Sequence, residues 1–299
     1  DAGYSVQQTS DGGYIIAGHS LSFGNGSWDV YLLKTDGSGN EQWSQTFGGI
    51  ESDAGYSVQQ TSDGGYIIGS NTKSFGNGMY DVYLIKTDED GAEQWSQTFG
   101  GIEYDVGCSV QQTSDGGYII AGYSLSFGNG MYDVYLIKTD EDGAEQWSQT
   151  FGGGVDDTGR SVQQTTDGGY IIAGHSLSFG NGEWDVYLIK TDEDGAEQWS
   201  QTFGGIEADD ARSVQQTTDG GYIILGVTWS FGSGSSDVYL IKTNENGEIT
   251  STFAIPLPNP NRKLDKTIDM LGKETNPQPN TPLIEIYDDG SVEKKIIIE

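Results

Sequence analysis

A six-residue string, Asp-Gly-Gly-Tyr-Ile-Ile, begins at Asp11 and returns at Asp63, Asp115, Asp167 and Asp219, a constant step of 52 residues. A fixed period of this size means that one supersecondary unit has been copied. Each copy then buries its apolar faces against its neighbours rather than in a core of its own.

One unit, residues 105–156, reads as four short strands, labelled a to d. Residues 109–113 (Ser-Val-Gln-Gln-Thr) are extended in character. Ser114-Asp115-Gly116-Gly117 is a turn, because Asp-Gly and Gly-Gly accept backbone angles that other residues resist. Tyr-Ile-Ile-Ala-Gly at 118–122 is aromatic and β-branched, which predicts a strand buried on both faces. A loop over 125–130 leads to a second apolar strand at 133–139, and Asp140-Glu141-Asp142-Gly143 is a hairpin connection. Residues 145–151 alternate Gln, Ser and Thr with Trp147 and Phe151, as a half-buried outer strand would.

A sheet that is apolar on both faces at its centre must be covered on both faces, and here the only abundant cover is another copy. The expected fold is therefore all-β: a β-propeller of five four-stranded blades over residues 1–253. An open solenoid is the alternative, but its coils are shorter, roughly 20–30 residues for leucine-rich types. Residues 254–262, rich in Pro and Asn, read as a linker, and 263–299 as a small C-terminal β tail.

The units resemble kelch-like and quinoprotein-like propeller repeats. The resemblance rests on the Tyr-Ile-Ile-Ala-Gly strand, the Asp-Val-Tyr-Leu-Ile-Lys-Thr-Asp strand, and a Trp shortly after a Gly turn (Gly143, then Trp147). It implies a fold and supplies no function. The tail resembles the C-terminal sorting domain of type IX secretion cargo in Bacteroidetes-like bacteria. That likeness rests on Pro258-Asn259-Pro260, on Ile268-Asp269-Met270-Leu271-Gly272-Lys273-Glu274, and on Lys294-Lys295 before an apolar end. It implies export across the outer membrane by the type IX machinery, and a secreted or outer-cell-surface location.

Acids outnumber bases 45 to 14, a net charge of −31, and 37 of the acids against 8 bases lie before residue 256. So negative a surface repels phosphate backbones and anionic lipid, which argues against nucleic acid and the membrane surface as partners. No apolar run reaches the ~20 residues of a membrane span. Cys108 is the sole cysteine, so neither an intrachain disulfide nor a cysteine metal cluster is expected. The chain starts at Asp1 at the head of a repeat, which reads as a mature form or a fragment.

Because the units can be laid over one another, internal comparison separates scaffold from variation. Trp43, Trp95, Trp147 and Trp199 share one position and are expected between blades, where burying ~200 Å² of each contributes at most about 5 kcal/mol. Unit five has Ser251 there, as a terminal repeat with a different neighbour would. Three positions vary. At the end of strand b stand His19, Asn71, Tyr123, His175 and Val227; before strand c, Trp28, Tyr80, Tyr132, Trp184 and Ser236; at the start of strand a, Tyr4, Tyr56, Cys108, Arg160 and Arg212. In an up-and-down sheet the b–c and d–a connections emerge on one rim, so all three belong to the same face. Variation confined to loops on a rigid frame is where binding is expected.

The candidate binding residues are accordingly His19, Trp28, Tyr80, Tyr123, Tyr132, Arg160, His175, Trp184 and Arg212. Aromatic groups beside polar ones suit stacking on sugar rings or holding peptide side chains. Arg160 and Arg212 can clamp a carboxylate or sulfate, or pair with Asp156, Asp157, Asp209 and Asp210. The two histidines are expected on the exposed rim. The Asp-Glu-Asp-Gly turns lack the ligand spacing of an EF-hand and read as hairpins, leaving Ca²⁺ a weak candidate and no other cofactor. No nucleophile elbow, phosphate loop or Cys–His pairing is present. The expected function is a binding or adhesion module for a glycan or protein ligand. The alternatives are a propeller enzyme (glycosidase, lyase or quinoprotein-like), against which near-identical blades argue, and a purely structural repeat.

Overall fold

The computed structural model describes residues 1–232, 235–255, 263–269, 273–276, 282–288 and 292–296. Their regular structure is all β: five four-stranded antiparallel sheets in sequential strand order, followed by a three-stranded sheet. The chain is a repeat β-propeller, and each 52-residue unit is one blade. In blade three, strand a is Asp105–Gln112, b is Tyr118–Ser124, c is Asp133–Thr139 and d is Glu145–Phe151. The other blades follow the same plan.

The turns form for local reasons. Gly116 takes φ 89° in the a–b turn, and Asp115 there accepts a hydrogen bond from the Gly117 amide. In the c–d turn the Asp140 side chain accepts from the amides of Asp142 and Ala144 at 3.0 and 2.8 Å, closing an Asx turn. The two turns are tied together by the invariant lysine of strand c. Buried Lys138 donates to Asp115 at 2.9 Å, to the Thr139 carbonyl at 2.8 Å and to Gln146 at 3.1 Å. The same tie recurs from Lys34, Lys86, Lys190 and Lys242, so this rim is one construction made five times.

Blades meet through four apolar clusters built on one plan. At the first junction, Ile15, Ala17, Val30, Leu32 and Phe47 of blade one, with Trp43 at the margin, cover Val58, Tyr66, Ile68, Tyr83 and Ile85 of blade two. Trp43 meets Tyr66 edge-on at 5.8 Å and lies over Gly91, where a Cβ would come within 2.6 Å of the indole. The expected inter-blade role of the tryptophans therefore holds. Strand a adds a polar seam: the Gln7 side chain accepts from the Gln60 amide at 2.6 Å, and the Gln60 side chain accepts from the Ser10 amide at 2.8 Å. The seam repeats at each later junction.

The outer faces of blades one and five do not cover each other. Val6 is 65% exposed, where its counterparts Val58, Val110, Val162 and Val214 are 3–7% exposed. Leu225 of blade five is 45% exposed. The other blades carry Ala or Gly at the Leu225 position. A Cβ at Gly69 would sit 3.1 Å from Val110 of the next blade, so only a blade with no such neighbour has room for leucine. Ser251 in place of Trp belongs to the same uncovered face.

The tail sheet orders Leu264–Asp269, Pro282–Tyr287 and Val292–Ile296, all antiparallel, with Leu283 opposite Lys295 in the expected hairpin. The linker expected at 254–262 is corrected at its start, because Ala254 and Ile255 still pair with strand c of blade five as the end of its strand d; residues 256–262, residues 270–272 and the hairpin tip at 289–290 lie outside the described residues.

Candidate functional site

Antiparallel order places the b–c and d–a connections on one rim, and the three variable positions of each blade converge there. Strand a carries a register shift in every blade, between Gly3 and Ser5, Gly55 and Ser57, Gly107 and Ser109, Gly159 and Ser161, and Ala211 and Ser213. The residue left over in the shift is Tyr4, Tyr56, Cys108, Arg160 or Arg212. The variable position is thus a β-bulge, a device that re-aims a single side chain. The partner strand b comes close at the bulge: a Cβ on Gly18 would lie 1.9 Å from the Ala2 carbonyl oxygen.

The re-aimed residues make a row. Tyr4 and Tyr56, in neighbouring blades, have ring centroids 5.3 Å apart. Tyr4 also lies 5.4 Å from His19, and His19 stacks on Trp28 at 4.7 Å. In blade four His175 stacks on Trp184 at 4.7 Å, and in blade three Tyr123 meets Tyr132 edge-on at 5.1 Å. Tyr80 stacks on Tyr104 at 5.6 Å. In blades one, three and four the residue ending strand b thus packs on the one preceding strand c, and histidine occurs only opposite tryptophan. Trp28 and Trp184 remain 45% and 40% exposed.

The loops bearing these residues are held by paired carboxylates. Asp81 accepts from the Asn77 amide at 2.7 Å, and Asp105 accepts from the Gly101 amide at 2.8 Å and the Ser126 hydroxyl at 2.6 Å. Between them sits Gly100, where a Cβ would lie 1.9 Å from Asp81 Oδ1 and 2.7 Å from Asp105 Oδ2. Burial, reinforced by the Asp105 charge, raises the Asp81 pKa, and Asp29, Asp133 and Asp185 are raised in the same way. The Asp105 amide donates to the Tyr80 carbonyl at 2.7 Å, locking the aromatic loop to the next blade.

One place departs from the repeat. Asp210, 2% exposed, stands where blades one to four have Ala2, Ala54, Val106 and Thr158. Its carboxylate meets Arg212 at 2.9 Å, Arg160 at 3.7 Å and His175 Nδ1 at 3.0 Å. Burial would raise its pKa, but the His175 hydrogen bond and the charges of His175, Arg160 and Arg212 hold it below the usual carboxylate value. Of the four acids expected to pair with the arginines, only Asp210 does so. Asp157 and Asp209 instead accept the Gly153 and Gly205 amides, and Asp156 accepts the Tyr132 amide.

The expectation of exposed histidines is corrected. His175 is 4% exposed because Trp184 covers it and Asp210 and Thr158 bond it, and His19 is half-buried against Tyr4 and Trp28. Burial, with the nearby N-terminus, lowers the His19 pKa. Burial pushes the Cys108 thiol up to about 11, so it is no reactive thiolate. Among the described residues no three or more His, Cys, Asp or Glu cluster as metal ligands, and no helix is long and apolar enough to cross a membrane. Sequence reasoning missed Asp210 as a centre and Tyr104 as a stacking partner. The replacement of Ala, Val or Thr by Asp at 210 was the available signal. On the opposite rim, inter-blade clefts of about 340–590 Å³ repeat around the same invariant Lys, Trp and Tyr.

No protein-family model matches the chain. Over 174 residues it is 26% identical to the regulatory protein FlaEY of Caulobacter vibrioides, a match covering 50% of this chain and 18% of that protein. The chain thus spans under a fifth of that curated relative's length. Among solved structures, a Bacteroides caccae protein of unknown function is similar with a TM-score of 0.54 at 10% identity, over 85% of this chain and 81% of that one. An endo-1,5-α-L-arabinanase from Thermotoga petrophila RKU-1 gives a TM-score of 0.45 at 14% identity, over 97% and 84%. At such identity the Bacteroides likeness is one of fold.

Proposed function

We propose that this propeller is a binding module of kelch-like plan that takes a glycan on the rim of the b–c and d–a connections. The observation that carries the reading is the pair of half-exposed indoles, Trp28 and Trp184, each backed by a histidine ring 4.7 Å away. An indole held flat by a partner ring offers a pre-ordered face to a sugar, with little side-chain entropy left to lose. Variation confined to this rim, on a frame that is otherwise copied, supports selection for a ligand over a purely structural role. The buried acids with raised pKa recur in blades one to four and hold loops, so they read as scaffold rather than as a unique catalytic pair. We further propose that the tail addresses the protein to the type IX machinery, and that it acts as a secreted or outer-surface protein.

A glycan array followed by calorimetry on the positive oligosaccharide tests this. Trp28→Ala and Trp184→Ala should each weaken binding roughly tenfold, as loss of a stacking face worth about 1–1.5 kcal/mol would. Binding unchanged in the double variant removes the rim from consideration.

A further inference from the structure

We propose that the Arg160–Arg212 pair receives the carboxylate of an acidic sugar, a monocarboxylate ring of the uronic acid class. The inference rests on the rim being the binding face. In the described blades every lysine has an acid of its own: Lys34, Lys73, Lys86, Lys138, Lys190 and Lys242 pair with Asp11, Glu51, Asp63, Asp115, Asp167 and Asp219. Only here do two cations share one anion. Asp210 neutralises one guanidinium charge and leaves the other over.

The donors are also unspent. Arg160 Nε is buried without a hydrogen-bond partner, since its 3.7 Å approach to Asp210 is too long for one. Arg212 uses one nitrogen on Asp210, and its side chain is 52% exposed. Both are bulge residues of adjacent blades, so the re-aiming that brings Tyr4 against Tyr56 also sets these two side by side.

The chemistry of the acceptor follows. A guanidinium fork matches a planar carboxylate with two parallel N–H···O bonds. The two guanidinium charges outnumber the one Asp210 carboxylate between them on a protein carrying −31, so a single carboxylate is attracted while a polyanion meets repulsion from the body. A sugar ring is indicated by the neighbours. Trp184 stacks on His175, which bonds Asp210, and Tyr123 lies near enough to Arg160 to feel its charge. One ring can therefore rest on an aromatic face while its carboxylate reaches the arginines.

The test is calorimetry of the full chain with an aldobiouronic acid, a disaccharide bearing one carboxylate, against its methyl ester. Binding of the acid should exceed that of the ester by roughly tenfold or more, and Arg160→Gln and Arg212→Gln should each remove most of that preference. Asp210→Asn takes away the internal competitor while keeping its shape, and should tighten the acid several-fold; a cluster with only a structural role predicts no gain. Equal affinity for acid and ester, with both lost in Trp184→Ala, overturns this inference and leaves the rim reading standing. An acetylated Asp-Gly dipeptide amide binding as well as the disaccharide overturns the sugar class. No measurable binding of the acid overturns the proposal outright.

Discussion

Truncating the same valine in five blades should give four equal costs and one small one. Val58, Val110, Val162 and Val214 each sit in an inter-blade cluster, and Val6, at the same repeat position, is 65% exposed. Val→Ala removes two methyl groups, worth about 0.8 kcal/mol each when buried, and leaves a cavity, so about 2 kcal/mol is expected at the four inner sites. With about a third of the burial and no cavity, Val6→Ala should cost about 0.5 kcal/mol. Urea unfolding followed by tryptophan fluorescence is the suitable assay, because Trp43, Trp95, Trp147 and Trp199 each report one junction. Leu225→Ala belongs to the same experiment and should cost little, whereas Ala173→Leu, which pushes into Val214, should cost about 1–3 kcal/mol by overpacking. If Val6→Ala destabilises as much as Val110→Ala, that face is covered in solution and the uncovered end faces described above are wrong.

The lysine tie predicts an asymmetry. Asp115→Asn strands a buried ammonium and should cost about 3 kcal/mol, whereas Lys138→Met leaves an acid whose side chain is 55% exposed and can rehydrate, costing about 2 kcal/mol in thermal unfolding; the reverse order would refute the buried-cation reading. Stability should also fall in acid. Against a burial cost, the Lys86, Thr61 and Gly65 hydrogen bonds hold Asp63 at about 2, and Asp115 and Asp167 are lowered likewise. A depressed carboxylate stabilises above its unfolded value near 3.9 and loses that contribution as pH falls towards its folded value, so Tm should drop between about pH 4 and pH 2. The raised Asp29, Asp81, Asp133 and Asp185 act oppositely, their contribution being full below about pH 3.9 and lost as pH rises through their folded values. They should blunt the acid loss; a Tm that rises steadily from pH 4 to pH 2 would show that they dominate it.

Much of this was legible in the residues. Turns were readable because Asp-Gly and Gly-Gly act over two or three positions, and the strands because their apolar character is local. The inter-blade tryptophans were readable because an invariant indole needs a burial site and the copies supply one. The bulge was not. Gly-Arg-Ser at 159–161 continues an extended pattern, and only pairing against strand b shows that Arg160 has no partner. The lysine tie spans 23 residues, and nothing in either segment alone announces it. His175 looked exposed because its position is a loop edge, yet Trp184 and Asp210 close over it.

Period, strand order, turn chemistry and the choice of a diversified rim were settled by the one-dimensional string, since each depends on neighbours in the chain or on comparing its copies. Three-dimensional packing alone decided which variable residues are re-aimed, which polar groups are buried, and that the faces of blades one and five stay uncovered. The physical reason is that these depend on strand register and on how successive sheets pack at the four junctions, and neither is a property of any single residue.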